Sequence, residues 1–329
     1  MDPLLTGHDV SRALSLWAQC EGGAARLINQ SENQIFAITA RLGARYALRV
    51  HRVGYQSRAA IESELAWLAA LRRDTSLPVP TPLQGQDGQL LQSFPSADGT
   101  QRLAVLFDYI EGVEPTPADD LTGLFNSLGR YAGVLHNHAQ AWVRPIGFER
   151  PEWNASTILD TDAPWGDWRQ APGVGPENRK VLDQLDLTLR HRLARYGHAS
   201  ERFGLIHADM RLGNLLVDGD TVTLIDFDDC GFSWFVYDFA AAISFHETEA
   251  NMPALKAAWI TGYQTVRPLD AADIAAIDTM IMLRRMALLA WIGSHAETGL
   301  AQTHMPGFAA GTAMLAERYL SGALWDEAG

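Results

Sequence analysis

The stretch from Phe203 to Phe239, FGLIHADMRLGNLLVDGDTVTLIDFDDCGFSWFVYDF, constrains this chain more than any other. It holds His207-x-Asp209-x4-Asn214, two short apolar runs around a DGD turn, and then Ile225-Asp226-Phe227-Asp228. An aspartate, an asparagine five residues on and an aspartate at the end of the following hairpin form the set that phosphoryl transfer to a hydroxyl requires. The hydroxyl needs a carboxylate to orient it and accept its proton. Two Mg²⁺ ions need hard oxygen donors, which an Asn carbonyl and an Asp carboxylate provide. Asp and Asn populate turns for other reasons, so each piece alone says little. Four elements in this order and spacing say much more.

The periodicity around this segment predicts an α+β chain in two parts. Residues 9–18 repeat at helical spacing, and three β-like runs follow at Ala25–Asn29, Gln34–Ala40 and Tyr46–His51, the last two joined by the turn RLGAR. Ala59–Arg72 is an amphipathic helix with Ile61, Leu65, Leu68 and Leu71 on one face. Two more strands, Gln89–Phe94 and Arg102–Tyr109, flank the turn PSADGT. Beyond Glu111-Gly112 the texture changes. Leu121–Ala139 and Glu177–Tyr196 read as helices, 151–175 as a loop rich in Trp, Pro and Gly, and nearly everything after Val236 as helix. Short strands are expected at Leu215–Val217 and Val222–Ile225. The chain's 329 residues suit two domains, expected at 1–110 and 111–329.

HADMRLGNLLVDGDTVTLIDFDD resembles the catalytic and metal-binding segment of the aminoglycoside phosphotransferase/choline kinase superfamily. SENQIFAI, YALRVHR, ELAWL and FVYDFA are similar to its homoserine-kinase-like and stress-response-kinase-like branches. The resemblance covers roughly residues 25–245 and is weak at both ends and over 150–200. It implies a two-lobed protein-kinase-like fold using ATP and Mg²⁺, with Asp209 as base, Asn214 and Asp226 as metal ligands and His207 supporting the loop. Arg211 would neutralise the γ-phosphate. In place of a glycine-rich loop, INQSENQIF would present backbone N–H groups to phosphate around Ser31 and Asn33.

Such a kinase also needs a strand cation paired with a helix glutamate. Only Lys180 and Lys256 are lysines, so the cation is expected to be Arg49, with Glu64 as partner and Glu62 as alternative. Leu106–Tyr109, including Phe107 and Tyr109, would be the hinge that reads adenine, with Ile225 beneath the ring. The resemblance allows Asp228 to approach the metals or the substrate, and it could equally cap the following turn. Asp238 either caps a helix or braces the catalytic loop. Trp153, Trp165 and Trp168 wall an acceptor pocket or anchor their loop. His136 and His138 fall on different helix faces, which speaks against a metal pair.

A net charge of −13 disfavours nucleic acid, which demands a basic stripe. It either attracts a cationic acceptor or serves solubility alone. Cys20 and Cys230 read as reduced thiols. No basic-then-apolar leader opens MDPLLTGHDV, and no run reaches the length of a membrane span, so a cytoplasmic location is expected. The expected reaction moves the γ-phosphoryl of ATP to a hydroxyl of a small molecule: an amino alcohol, amino acid or sugar. A serine/threonine protein kinase and an inactive nucleotide-binding module are the alternatives, and the complete Asp209/Asn214/Asp226 set speaks against the latter.

Overall fold

A computed structural model describes residues 4–30 and 33–325. The chain opens with α1 (Gly7–Leu14), whose N-terminus is closed by a capping box in which Thr6 and Asp9 satisfy each other's backbone N–H groups. Strands β1 (Ala24–Gln30), β2 (Asn33–Thr39) and β3 (Arg45–His51) follow as an antiparallel meander. Gly43 turns the second hairpin at φ 87, a backbone region open to glycine and costly for most residues. Helix α2 (Arg58–Asp74) comes next, then β4 (Pro82–Leu83), β5 (Gln92–Pro95) and β6 (Gln101–Asp108). The sheet order is β1-β2-β3-β6-β4, with β5 also on β6.

Alternation along β3 sorts its side chains. Leu48 and Val50 join Phe36, Ile38, Leu106, Val10, Leu14 and Trp17 in a core under α1. Arg49, one residue out of phase, lies on the opposite face and reaches Glu64 of α2.

The helical part contains α3 (Leu121–Ala141), α4 (Ala155–Leu159), α5 (Pro176–Tyr196) and the strand β7 (Phe203–Ile206). A hairpin of β8 (Leu215–Asp218) and β9 (Thr221–Leu224) comes next, and β10 (Gly231–Trp234) returns to pair with β7. Helices α6 (Tyr237–Ala242), α7 (Met252–Gln264), α8 (Ala271–Ser294), α9 (Gly299–His304) and α10 (Phe308–Ser321) complete the chain. Glycines let α3 and α7 approach closely: a Cβ at Gly129 or Gly262 would overlap the carbonyl of Trp259 or Asn126.

Two compact units result. One comprises residues up to Val113 with 143–150 and 216–228; the other comprises 114–142, 151–215 and the chain from Asp229 on. A single cut at 110 assigns both later segments of the first unit to the second. They join the β-rich unit through Val113 with Val217, Glu149 with Ser63, and Leu224 with Pro78. The 151–175 segment carries α4 and a 3-10 turn at Trp168–Gln170, and the pairing of β7 with β10 was not legible from short runs. Among the described residues no helix is long and apolar enough to cross a membrane.

Candidate active site

Within the helical unit, β7 delivers the chain into His207-Ala208-Asp209. Ala208 adopts φ 67, a conformation that costs a non-glycine residue ~1–3 kcal/mol and persists only where surroundings enforce it. The enforcing group is Asp238 on α6. Its Oδ1 accepts the Ala208 N–H at 2.7 Å, and its Oδ2 accepts the His207 N–H at 3.3 Å and lies 3.0 Å from His136 Nε2. His136 in turn meets the Tyr263 hydroxyl at 2.9 Å. Asp238 therefore braces the His207–Asp209 loop and is not a helix cap: Val236 holds that position, without a side-chain bond. His207 is fully buried, and its Nδ1 accepts the Asp209 N–H at 3.2 Å.

The Asp209 carboxylate has three side-chain donors. Asn214 Nδ2 donates to Oδ2 at 2.6 Å and to the Asp209 carbonyl at 2.9 Å. Arg211 Nε lies 3.3 Å from Oδ2, and Arg284 Nη2 lies 2.5 Å from Oδ1. Burial pushes this carboxyl up, but the charges of Arg284 and Arg211 prevail and hold it below the usual carboxylate range. Sequence reasoning missed Arg284. Its signal was present in MIMLRRMALLAW, where two arginines interrupt an apolar helix and so require carboxylate partners. Arg285 finds Glu247 at 2.6 Å.

In the β-rich unit, Arg49 Nη2 donates to both oxygens of Glu64, at 2.8 and 2.7 Å. Both side chains are almost wholly buried, which excludes a solvated surface pair. Glu62 instead makes an exposed pair with Arg58. Arg49 Nη1 also lies 3.6 Å from Asp226 Oδ1, and its Cζ sits 5.3 Å from the Phe107 ring centre. Asp226 stands at φ 60, which Asp tolerates better than most residues, and its side chain is 42% exposed. The buried Phe227, edge-on to Trp67 at 5.6 Å, anchors the turn.

Asp228 is buried, and its Oδ2 accepts from Asn33 Nδ2 at 2.9 Å. Its backbone carbonyl accepts from Gln56 and Arg150, so this carboxylate ties strand β2 to the turn after β9. Asn33 is thus a strand residue whose side chain is committed to Asp228. Ser31 lies outside the described residues. Tyr109 stacks beneath Arg45 at 3.6 Å, and Ile225 is half-buried. Trp153, Trp165 and Trp168 are all buried, with Trp153 Nε1 on the Asp229 carbonyl and Trp168 Nε1 on Asp186, as anchors require.

The donor chemistry fits a nucleotide-bound hard cation. Asn214 turns its amide nitrogen to Asp209, which leaves its carbonyl oxygen as donor, and Asp226 offers an accessible carboxylate. Among the described residues no cluster of three His, Cys, Asp or Glu is placed to hold a metal. Arg49 keeps a buried Nε with no hydrogen-bond partner.

A β-sheet N-terminal region followed by a helical C-terminal region is the architecture of kinase-like phosphotransferases. Residues 24–271 match the phosphotransferase enzyme family (APH), and the chain belongs to that family. The amicoumacin kinase of Bacillus subtilis (strain 168) is 26% identical over 253 residues, 74% of this chain and 72% of that protein. A homoserine kinase of Methylobacterium radiotolerans is 38% identical over 248 residues, 69% and 67% of the two chains. Among solved structures, a microcompartment-associated aminopropanol kinase matches with TM-score 0.88 and 40% identity over 96% of this chain and 98% of that one. An amicoumacin kinase, hAmiN, with AMP-PNP and Ca²⁺ shares the fold at TM-score 0.76 and 21% identity over 94% and 93%. This chain is a small-molecule kinase, with the ATP and Mg²⁺ typical of its family.

Proposed function

We propose that the chain phosphorylates the hydroxyl of a small amino alcohol, with Asp209 as the group that orients and deprotonates it. The observation that carries the acceptor class is the 40% identity, spread over 96% of the chain, to an aminopropanol kinase. The net charge of −13 supports a cationic acceptor through long-range attraction.

Bound MgATP supplies the γ-phosphoryl group and metal charge that offsets the triphosphate. Asn214 of the helical unit and Asp226 of the β-rich unit would each offer an oxygen to the ion, Arg49 would grip phosphate, and Arg211 would counter charge at the transferring group. Asp209 accepts a hydrogen bond from the acceptor hydroxyl and takes its proton as that oxygen bonds to the γ-phosphorus, while the bond from phosphorus to the β,γ-bridging oxygen breaks and ADP leaves. Two guanidiniums beside it make it a weak base at rest. That weakness suits phosphoryl transfer, whose loose transition state needs orientation of the nucleophile more than early deprotonation.

The test is ATP consumption with 1-amino-2-propanol, ethanolamine, homoserine, 1,2-propanediol and a denatured protein as acceptors. The amino alcohols should give the highest kcat/KM. A neutral diol or an acidic metabolite performing as well would sink the acceptor class and leave the kinase assignment standing. Asp209→Asn should keep nucleotide binding and lower kcat ~10²–10⁴-fold, the usual effect of removing a positioned base.

A further inference from the structure

We infer that Arg284, 75 residues beyond Asp209 in sequence, is a positioning residue that holds the Asp209 carboxylate in its working orientation. The inference rests on the reading of Asp209 above. Asp209 has two torsions to settle, and a carboxylate gripped at one oxygen can still swing about that contact. Here the oxygens are gripped from different elements. Asn214, on the 3-10 turn directly after the catalytic loop, takes Oδ2, whereas Arg284, midway along the 24-residue helix α8, takes Oδ1. One clamp is local to the loop and the other belongs to the scaffold.

Arg284 is itself immobilised. Its Nε donates to Ser244 Oγ at 3.0 Å, its Cζ lies 5.5 Å from the ring centre of the buried Trp165, and its side chain is 4% exposed. A planar guanidinium fixed at Nε can present Nη2 in essentially one direction, which a lysine on a flexible stem cannot reproduce. The charge is also matched to its place: in so apolar a helix the Arg284 guanidinium faces the Asp209 carboxylate, with Tyr237 and Asp229 near it. Arg211, the other cation on Asp209, is more exposed at 23% and contacts at the longer 3.3 Å, so it remains free to move toward phosphate while Arg284 keeps the carboxylate fixed. The outcome is a division of labour between two arginines on one carboxylate.

Arg284→Lys, Arg284→Ala and Ser244→Ala are compared with Asp209→Asn and the double variant Asp209→Asn/Arg284→Lys. Arg284→Lys should lose ~10²-fold in kcat, the order expected when a catalytic group is displaced by about 1 Å, with KM for ATP within about twofold of wild type. Ser244→Ala keeps the arginine and frees it, and should lose kcat by a smaller factor with the same KM pattern. In the Asp209→Asn background Arg284→Lys should cost nothing further, because the residue acts through Asp209. Millimolar guanidinium should restore kcat to Arg284→Ala, which it cannot do for a fold defect. Wild-type kcat in Arg284→Lys, or multiplicative losses in the double variant, would overturn the inference. Wild-type turnover in Asp209→Asn would instead overturn the reading of Asp209, so the two failures are distinguishable.

Discussion

Asp238 Oδ1 accepts the backbone N–H of Ala208 at 2.7 Å, across a separation of 30 residues, and so holds in place a left-handed turn that alanine disfavours. The neighbouring Oδ2 receives the His207 N–H and faces His136 Nε2. In Asp238→Asn, an NH2 group placed at Oδ2 meets these donors head-on. One or two buried donors left unsatisfied at ~1–3 kcal/mol each should lower stability by about 2–4 kcal/mol. Urea unfolding reads this directly, and kcat should fall with it as Ala208 relaxes. An asparagine variant as stable as wild type would show that the carboxylate is not the brace.

Arg49→Lys will not be silent. The arginine spans Glu64 and approaches Asp226 with different nitrogens, and one ammonium cannot occupy both positions. Losing one charge-assisted bond of ~1.5–3 kcal/mol should weaken ATP binding roughly ten- to a hundredfold. Glu64→Ala should behave similarly. Arg52→Ala and Glu62→Ala, by contrast, should titrate with ATP much as wild type does. Damage from Arg52→Ala alongside a normal Arg49→Lys would assign the phosphate grip to the wrong face of β3.

His51 gives the β-rich unit a pH dependence. Burial, helped by the Arg49 charge, pushes its imidazole down to about 3, and neither ring nitrogen has a hydrogen-bond partner. The unfolded chain binds that proton below about pH 6.5 while the folded chain refuses it. Stability is therefore full above pH 6.5 and declines as pH falls toward 3, by up to about 1.4 kcal/mol per unit. His136, also pushed down by burial, adds to the same trend. The difference between wild type and His51→Gln between about pH 6.5 and 5, above the carboxylate range, isolates His51. Parallel stability curves would mean that the ring is protonated or hydrated in the fold.

Asp226→Ala should remove the Mg²⁺ dependence of ATP binding. A hard cation with few protein oxygens shares its shell with phosphate, so the missing carboxylate cannot be replaced by other side chains. Calorimetric titration with ATP, with and without Mg²⁺, compares the two proteins. An unchanged Mg²⁺ effect in Asp226→Ala would take the metal role away from this residue.

Much of this was open to a reader of the sequence because it is local. The alternation YALRV sorted Arg49 from Leu48 and Val50, and the β2–β3 meander follows the runs that flank RLGAR. The order His207, Asp209, Asn214, Asp226 pointed to the family because phosphoryl transfer restricts which side chains can serve and the hairpin β8–β9 restricts their spacing. Both are properties of a few consecutive residues, written in periods of 2 and 3.6 and in turn chemistry. What tertiary structure alone decided is which buried charges meet. Asn33 reaches Asp228 across 195 residues, Asp238 chose the loop over a helix cap, and Glu64 rather than Glu62 took Arg49. Arg284 reached Asp209 because α8 buries that face of the helix and a buried guanidinium must find a carboxylate. A charge in a sequence shows that a partner is needed. Only the packing of elements distant along the chain selects which one.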